Sequence, residues 1–297
     1  MDDRSSARVN WWRWLAWIIT LLALAFVIRW LVQLDRSIWQ NLRHLHPDRL
    51  IGSLLIFQVW FLMRFAAWEM IVKRHGSDAQ RHQTLRTWTL SELARYVPGN
   101  LWSVAAKYRG SVSAGAAPTA ALQALAIEAL GQLSGAGLTA VLFYDARHLW
   151  WIAMTVIIIF PVFVPAALSL MSRWKRWGQV PTVSITESLG LLLWYSLVWS
   201  IFGLATAMVY WSFSHVPSVT LLWLLGINVL AWFIGYISIV TPMGLGIREV
   251  AFVRLSTGVL PATLASLVAL ITRLWFVVSE LLFLMLVLLW HAIKRHY

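Results

Sequence analysis

Apolar runs of roughly 20 residues or more, separated by polar intervals no longer than about 15, leave this chain one environment in which to fold. A helix of that length matches the hydrocarbon thickness of a bilayer, where every backbone N–H and C=O has to be satisfied within the protein. The 297 residues are 60% hydrophobic and only 12% charged, too apolar for a globular surface. The expected fold class is therefore all-α, a polytopic membrane protein forming a single integral membrane domain over residues 1–297. No polar interval is long enough to hold a soluble domain.

The runs place spans at about residues 14–34, 50–72, 118–144, 149–171, 185–211, 218–240 and 261–290. That makes about seven, and eight if the broken segment near residue 242 crosses the membrane. Arg4, Arg8 and Arg13 precede the first run and predict a cytoplasmic amino terminus. The run exceeds the apolar core of a signal peptide and ends in no small-residue cleavage site, so it reads as a retained span. An odd number of crossings would leave the basic carboxyl terminus, with Lys294 and Arg295, outside; that conflict favours eight.

The net charge of +12 would suggest nucleic acid in a soluble protein. Here Lys73, Arg74, Arg81, Arg86, Arg173, Lys175 and Arg176 gather at span ends, where they set orientation and meet anionic headgroups, so no nucleic-acid partner is expected. With no cysteine, disulfides and thiol chemistry are excluded. Many of the 21 tryptophans fall near span ends and read as interfacial belts.

Two stretches break the helical pattern in apolar surroundings. In Glu92 to Trp102, Pro98 lacks a backbone donor and pushes Val97 from the helical region, while Gly99 permits a tight turn before Asn100. The second break contains Pro242, Gly244 and Gly246. Broken backbone at membrane depth survives only when buried in protein or lining a wet cavity, and such breaks mark substrate sites in transporters. Basic residues at both ends of residues 87–108 favour a re-entrant hairpin.

The breaks echo one another. Pro242 follows Pro98 by 144 positions, Pro261 follows Pro118 by 143, and Arg273 follows Glu128 by 145. Each half reads as break, basic amphipathic stretch, proline-started span and intramembrane charge, which predicts a two-repeat bundle with halves at about 50–144 and 185–290. Chance recurrence of Pro and Gly in an apolar chain is the competing reading, and the relative orientation of the halves is open.

An ionisable residue at mid-membrane costs roughly 2.5–3.5 kcal/mol and needs a partner or a wet cavity. Glu128 and Arg273 are so placed, and a pair between them, structural or substrate-binding, is one expectation. Glu280 lies two turns beyond Arg273 on roughly the same face. Arg248 and its neighbour Glu249 point in different directions, with Arg248 the better candidate to face a cavity. Helices starting after Gly99 and Gly246 would aim backbone N–H groups inward, so that together with Arg95, Arg248 and Arg273 they would describe an anion-accepting site. Asn100 and Lys107 complete the candidate substrate-binding set, although Arg95 and Lys107 also read as snorkelling to headgroups. Arg64 and Glu69, five apart, are not at the best pairing distance on a helix.

No phosphate loop, metal-spaced histidine pair or nucleophile elbow occurs; His44, His46 and Asp48 read as a solvated cluster. No cofactor or metal is expected, and the chain reads as a transporter-like protein rather than an enzyme. An intramembrane transferase with Glu128 as base is the third reading, after a non-transporting accessory subunit of a glycosyltransferase or envelope-assembly complex.

At Tyr96-Val97-Pro98-Gly99-Asn100-Leu101-Trp102 and again at Pro242 to Glu249, the chain resembles the lysylphosphatidylglycerol synthase transmembrane family, the flippase-like superfamily. The likeness extends to the spans that follow, with Glu128 and Arg273, and covers nearly the whole chain. It implies a bacterial or archaeal cytoplasmic-membrane protein that translocates a phospholipid or a polyprenyl-phosphate-linked headgroup. Membrane lipids are the implied partners, with a homo-oligomer or a glycosyltransferase partner left open. The soluble domain that makes the aminoacyl lipid in that family is lacking here, so the resemblance does not carry synthase activity.

Overall fold

The computed structural model describes residues 46–74, 80–96, 101–144, 150–172, 183–213, 218–237, 244 and 246–295. The expected first span, Pro98, Gly99, Asn100, Pro242, His44 and the basic residues 173–176 lie outside them. Among the described residues the protein is all-helical. Its helices are α1 (Pro47–Arg74), α2 (Arg81–Leu93) with a 3-10 turn (Ala94–Tyr96), α3 (Leu101–Ser113), α4 (Pro118–Phe143) and α5 (Trp150–Ser172). They are followed by α6 (Ile185–Trp211), α7 (Ser218–Ile237), α8 (Ile247–Leu255) and α9 (Ala262–Arg295).

Four of these, α1, α4, α6 and α9, are long and apolar enough to cross a membrane. Their outward faces carry large apolar side chains at helical spacing: Ile51, Leu55, Val59 and Leu62 on α1, and Leu274, Val278, Leu281 and Met285 on α9. Such stripes would aggregate in water and suit contact with acyl chains.

Helix starts follow local chemistry. Pro118 occupies the first turn of α4, where its missing N–H costs nothing. Ser184 and Glu187 form a reciprocal capping box at the start of α6, with the Glu187 N–H donating to Ser184 Oγ at 3.2 Å and the Ser184 N–H to Glu187 Oε2 at 2.7 Å. Glu187 also pairs with Arg74, tying the end of α1 to the start of α6.

Helix α6 is the central element, touching α1, α4, α5, α7 and α9. Its approach to α4 depends on glycine. A Cβ on Gly131 would lie 2.4 Å from the Tyr195 ring, and one on Gly135 2.6 Å from the Tyr195 backbone. The small-residue stripe expected of this span is thus used at Gly131 and Gly135, whereas Gly137 has open space. Gly135→Ala is expected to cost about 1–3 kcal/mol by forcing the helices apart, read as a lower unfolding temperature in detergent.

The core is aromatic. Phe202 of α6 packs edge-on against Trp232 of α7 at 5.2 Å, and Trp60 of α1 against Phe276 of α9 at 5.6 Å. Phe61 stacks on Phe283 at 4.9 Å. Trp60, Trp68, Trp88, Trp199 and Trp232 are buried, so these five are not the interfacial belt that their number suggested. They line the inside of the bundle, where the rings of Trp60, Trp68, Trp88 and Trp232 meet cations.

The pairings also fix directions. Phe57 and Phe61 of α1 meet Phe276 and Phe283 of α9 in the same order, so the two helices run parallel. The end of α9, at His291, therefore lies at the same end of the bundle as Lys73 and Arg74, with the His291 ring 5.4 Å from His82. The basic ends of α1 and α9 share one side.

Candidate functional site

Each break belongs to a hairpin. Helix α3 returns along α2, with Gly110 against Thr87, and α8 returns along α7, with Gly244 and Arg248 against Gly235. Helix α8 therefore runs back beside α7. Glycine is required at this turn: Gly244 has φ +66° and a Cβ there would lie 2.7 Å from the Gly235 backbone, while Gly246 has φ +82°.

The tip of the first hairpin and the start of the second hairpin's returning arm meet the same stretch of α9. At the first, Arg95 and Tyr96 both donate to Glu280. At the second, Arg273 Nη1 donates to Glu249 Oε1 at 2.7 Å. Tyr96 lies close enough to feel the charges of both Glu280 and Arg273, which links the two tips.

Glu92 is the hub of the first cluster. Its carboxylate accepts from Arg64 Nη1 at 2.6 Å and Arg95 Nη1 at 2.8 Å, and lies 2.8 Å from Lys107 Nζ. Lys107 also donates to both oxygens of Glu128, at 2.7 and 2.9 Å. The chain of contacts runs Arg64, Glu92, Lys107, Glu128 on one side and Arg95, Tyr96, Glu280 on the other. Three cations face three carboxylates, so the cluster is neutral as a unit, which is what allows it to persist in a low-dielectric interior. Indoles flank it: Arg64 sits 4.9 Å from the Trp60 ring and Lys107 5.3 Å from Trp68.

The expected pair of Glu128 with Arg273 does not form. Each finds a partner nearer in sequence, Glu128 on α3 and Arg273 on α8, because each hairpin lays its returning arm beside the span that follows it. The positive end of α8 is likewise already occupied: the Gly246 N–H donates to Glu249 Oε2 at 2.7 Å, so the helix is capped by its own carboxylate. Arg64 pairs with Glu92, and Glu69 with Lys73 and Arg81, which agrees with the poor five-residue spacing between Arg64 and Glu69.

Of the three arginines expected to form an anion site, Arg95 and Arg273 are neutralised by carboxylates. Arg248 is different. It is 3% exposed, its guanidinium lies 4.5 Å from the Trp232 ring, and it makes neither ion pair nor hydrogen bond to any described residue. The Glu249 carboxylate, bonded to Arg273, acts on it only through space, which leaves the five guanidinium donors unbonded to any described residue.

Glu92, Arg64 and Tyr96 are the members of the site that the sequence reading did not single out as binding residues. The available signal was the three-residue spacing of Glu92 and Arg95, which places both on one helical face. No protein-family model and no curated protein matches the chain.

Proposed function

We propose that the protein is a lipid flippase-like translocator of the cytoplasmic membrane, moving the anionic or zwitterionic headgroup of a phospholipid or polyprenyl-phosphate-linked lipid through the interior of the bundle. The single observation that carries this reading is Arg248, a buried cation that makes no ion pair or hydrogen bond with a described residue and shares the field of Glu249 with Arg273. A headgroup bound there would keep its tails in lipid while its charge is met inside the protein.

The architecture supports the same reading. In each half a hairpin is followed by a long helix, and the charge on the long helix pairs with one on the hairpin's returning arm: Glu128 with Lys107, then Arg273 with Glu249, the signs exchanged. With the basic ends of α1 and α9 placed in the cytoplasm, the first hairpin enters from the cytoplasmic side and the second from the opposite side. The halves are then inverted repeats, a design that supports alternating access by rocking one half against the other. In this reading the spans are the unplaced first segment with α1, α4, α5, α6 and α9, and the two hairpins are re-entrant. Helix α5, whose 23 residues carry no charge, supports its inclusion. The resemblance to the flippase-like superfamily adds to the proposal, and the absence of a phosphate loop points to ion gradients, membrane potential or downstream consumption as the drive.

The test is transbilayer exchange of labelled phospholipids in liposomes containing the wild type, Glu128→Gln or Arg273→Ala. Exchange by the wild type that both substitutions slow about tenfold or more is the expected result. Wild-type exchange unaffected by either would remove these residues from the path. No exchange for any lipid in the panel, with a partner protein copurifying, would instead support the accessory-subunit reading.

A further inference from the structure

Beside the first hairpin, at the bundle end shared by the basic termini of α1 and α9, is a cavity of about 570 Å³. That volume falls in the range of small-molecule binding sites. Trp68 and Val72 of α1, six residues of α2 between His82 and Trp88, five residues between Lys107 and Ala114, and His291 of α9 contribute its walls. None of the described lining residues is acidic. Their polar groups are of the kind that meet an oxyanion: Arg86, His82, His291, Gln83 and the hydroxyls of Thr84, Thr87 and Ser111.

The neighbouring charges show which cation is available. Lys73 and Arg81 are held by Glu69, Arg74 by Glu187, and Lys107 by Glu92 and Glu128. Arg86 alone of the lining cations has no ion pair with a described residue, and it is half-buried in the wall rather than extended into solvent. The cavity therefore has positive polarity, with a free guanidinium on one side and Lys107 connecting it to the charged interior.

We propose that this cavity binds the phosphate of a phosphate-bearing lipid headgroup, with Arg86 as its direct ion partner and the Thr87 and Ser111 hydroxyls as hydrogen-bond donors. Arginine suits phosphate because its planar fork donates two parallel hydrogen bonds. The site deepens the translocation reading by giving the headgroup a docking place before it reaches Glu92 and Arg248, and it rests on that reading only for the source of the phosphate.

The experiment is isothermal titration of the full-length protein in detergent with dioctanoyl phosphatidic acid, dioctanoylglycerol or inorganic phosphate. Phosphatidic acid is expected to bind, dioctanoylglycerol to bind at least about tenfold more weakly, and Arg86→Ala to weaken phosphatidic acid by about tenfold or more while Arg86→Lys retains only part of the affinity. Thr84→Trp, which fills the cavity without removing charge, should also abolish binding. Unchanged affinity in Arg86→Ala, or equal binding of dioctanoylglycerol, overturns the proposal. Inorganic phosphate binding as tightly as the lipid overturns the lipid source and assigns the site to free phosphate. The two readings fail separately: in Arg248→Gln the Arg86-dependent part of the titration should remain even where exchange in liposomes is lost.

Discussion

Glu92→Ala is expected to destabilise the protein more than any other single substitution at the charged cluster, by about 3–5 kcal/mol, the range found when one partner of a buried ion pair is removed. The reason is the number of groups left behind. Arg64, Arg95 and Lys107 all converge on this one carboxylate, and all three are poorly accessible to water. Arg95 keeps Glu280 and Lys107 keeps Glu128, but Arg64 has no second carboxylate in ion-pair range among the described residues and retains only the faces of Trp60 and Trp88. Thermal unfolding in detergent should fall by roughly 10 °C on the scale of a few degrees per kcal/mol. Adding Arg64→Met to Glu92→Ala should recover part of the loss by removing the most exposed imbalance, since an apolar replacement of a buried pair is often neutral. A shift of less than about 1 kcal/mol in Glu92→Ala would show that water reaches the cluster and solvates its cations.

Arg248→Gln is expected to have the opposite profile, with a large effect on lipid movement and little on stability. Because the guanidinium bonds no described carboxylate and Glu249 keeps Arg273, its removal leaves no carboxylate newly unpaired, and Gln keeps much of the side-chain volume against Trp232. Stability should stay within about 1 kcal/mol of the wild type. Exchange of an anionic phospholipid should fall at least about tenfold, corresponding to about 1.4 kcal/mol of lost interaction with the moving headgroup. Arg248→Lys should restore only part of the rate, because an ammonium carries charge without the planar fork. The pairing of a stability mutant that spares no cation with a transport mutant that spares the fold separates scaffold from path.

What could be read from the sequence and what could not divide along a physical line. Helices α4, α6 and α9 were legible almost to the residue, since apolar length, Pro118 and Pro261 are local signals. The glycines of the second break were legible for the same reason: a positive φ leaves its mark on composition. Glu128 and Arg273 stood out as buried charges, and they are in ion pairs. Their partners did not stand out, because Lys107 and Glu249 become neighbours only after each hairpin closes. Glu92 was hidden by its surroundings, a polar helix in which one more carboxylate has no reason to attract notice. The tryptophans misled in the other direction, since an indole suits a headgroup interface and the face of a buried cation equally well. The crossing assigned to the second break came from counting charges at the ends of spans; the parallel run of α1 and α9 places their basic ends together.

The most direct test of the central claim is the accessibility of a fluorescent phosphatidylglycerol to an impermeant reductant in unilamellar vesicles containing wild type, Arg248→Gln or no protein. The account predicts that wild-type vesicles lose label from both leaflets, while vesicles with Arg248→Gln or without protein lose only the outer-leaflet label over the same interval. Retention of inner-leaflet label by the wild type, or its equal loss in Arg248→Gln, would contradict a lipid path through Arg248.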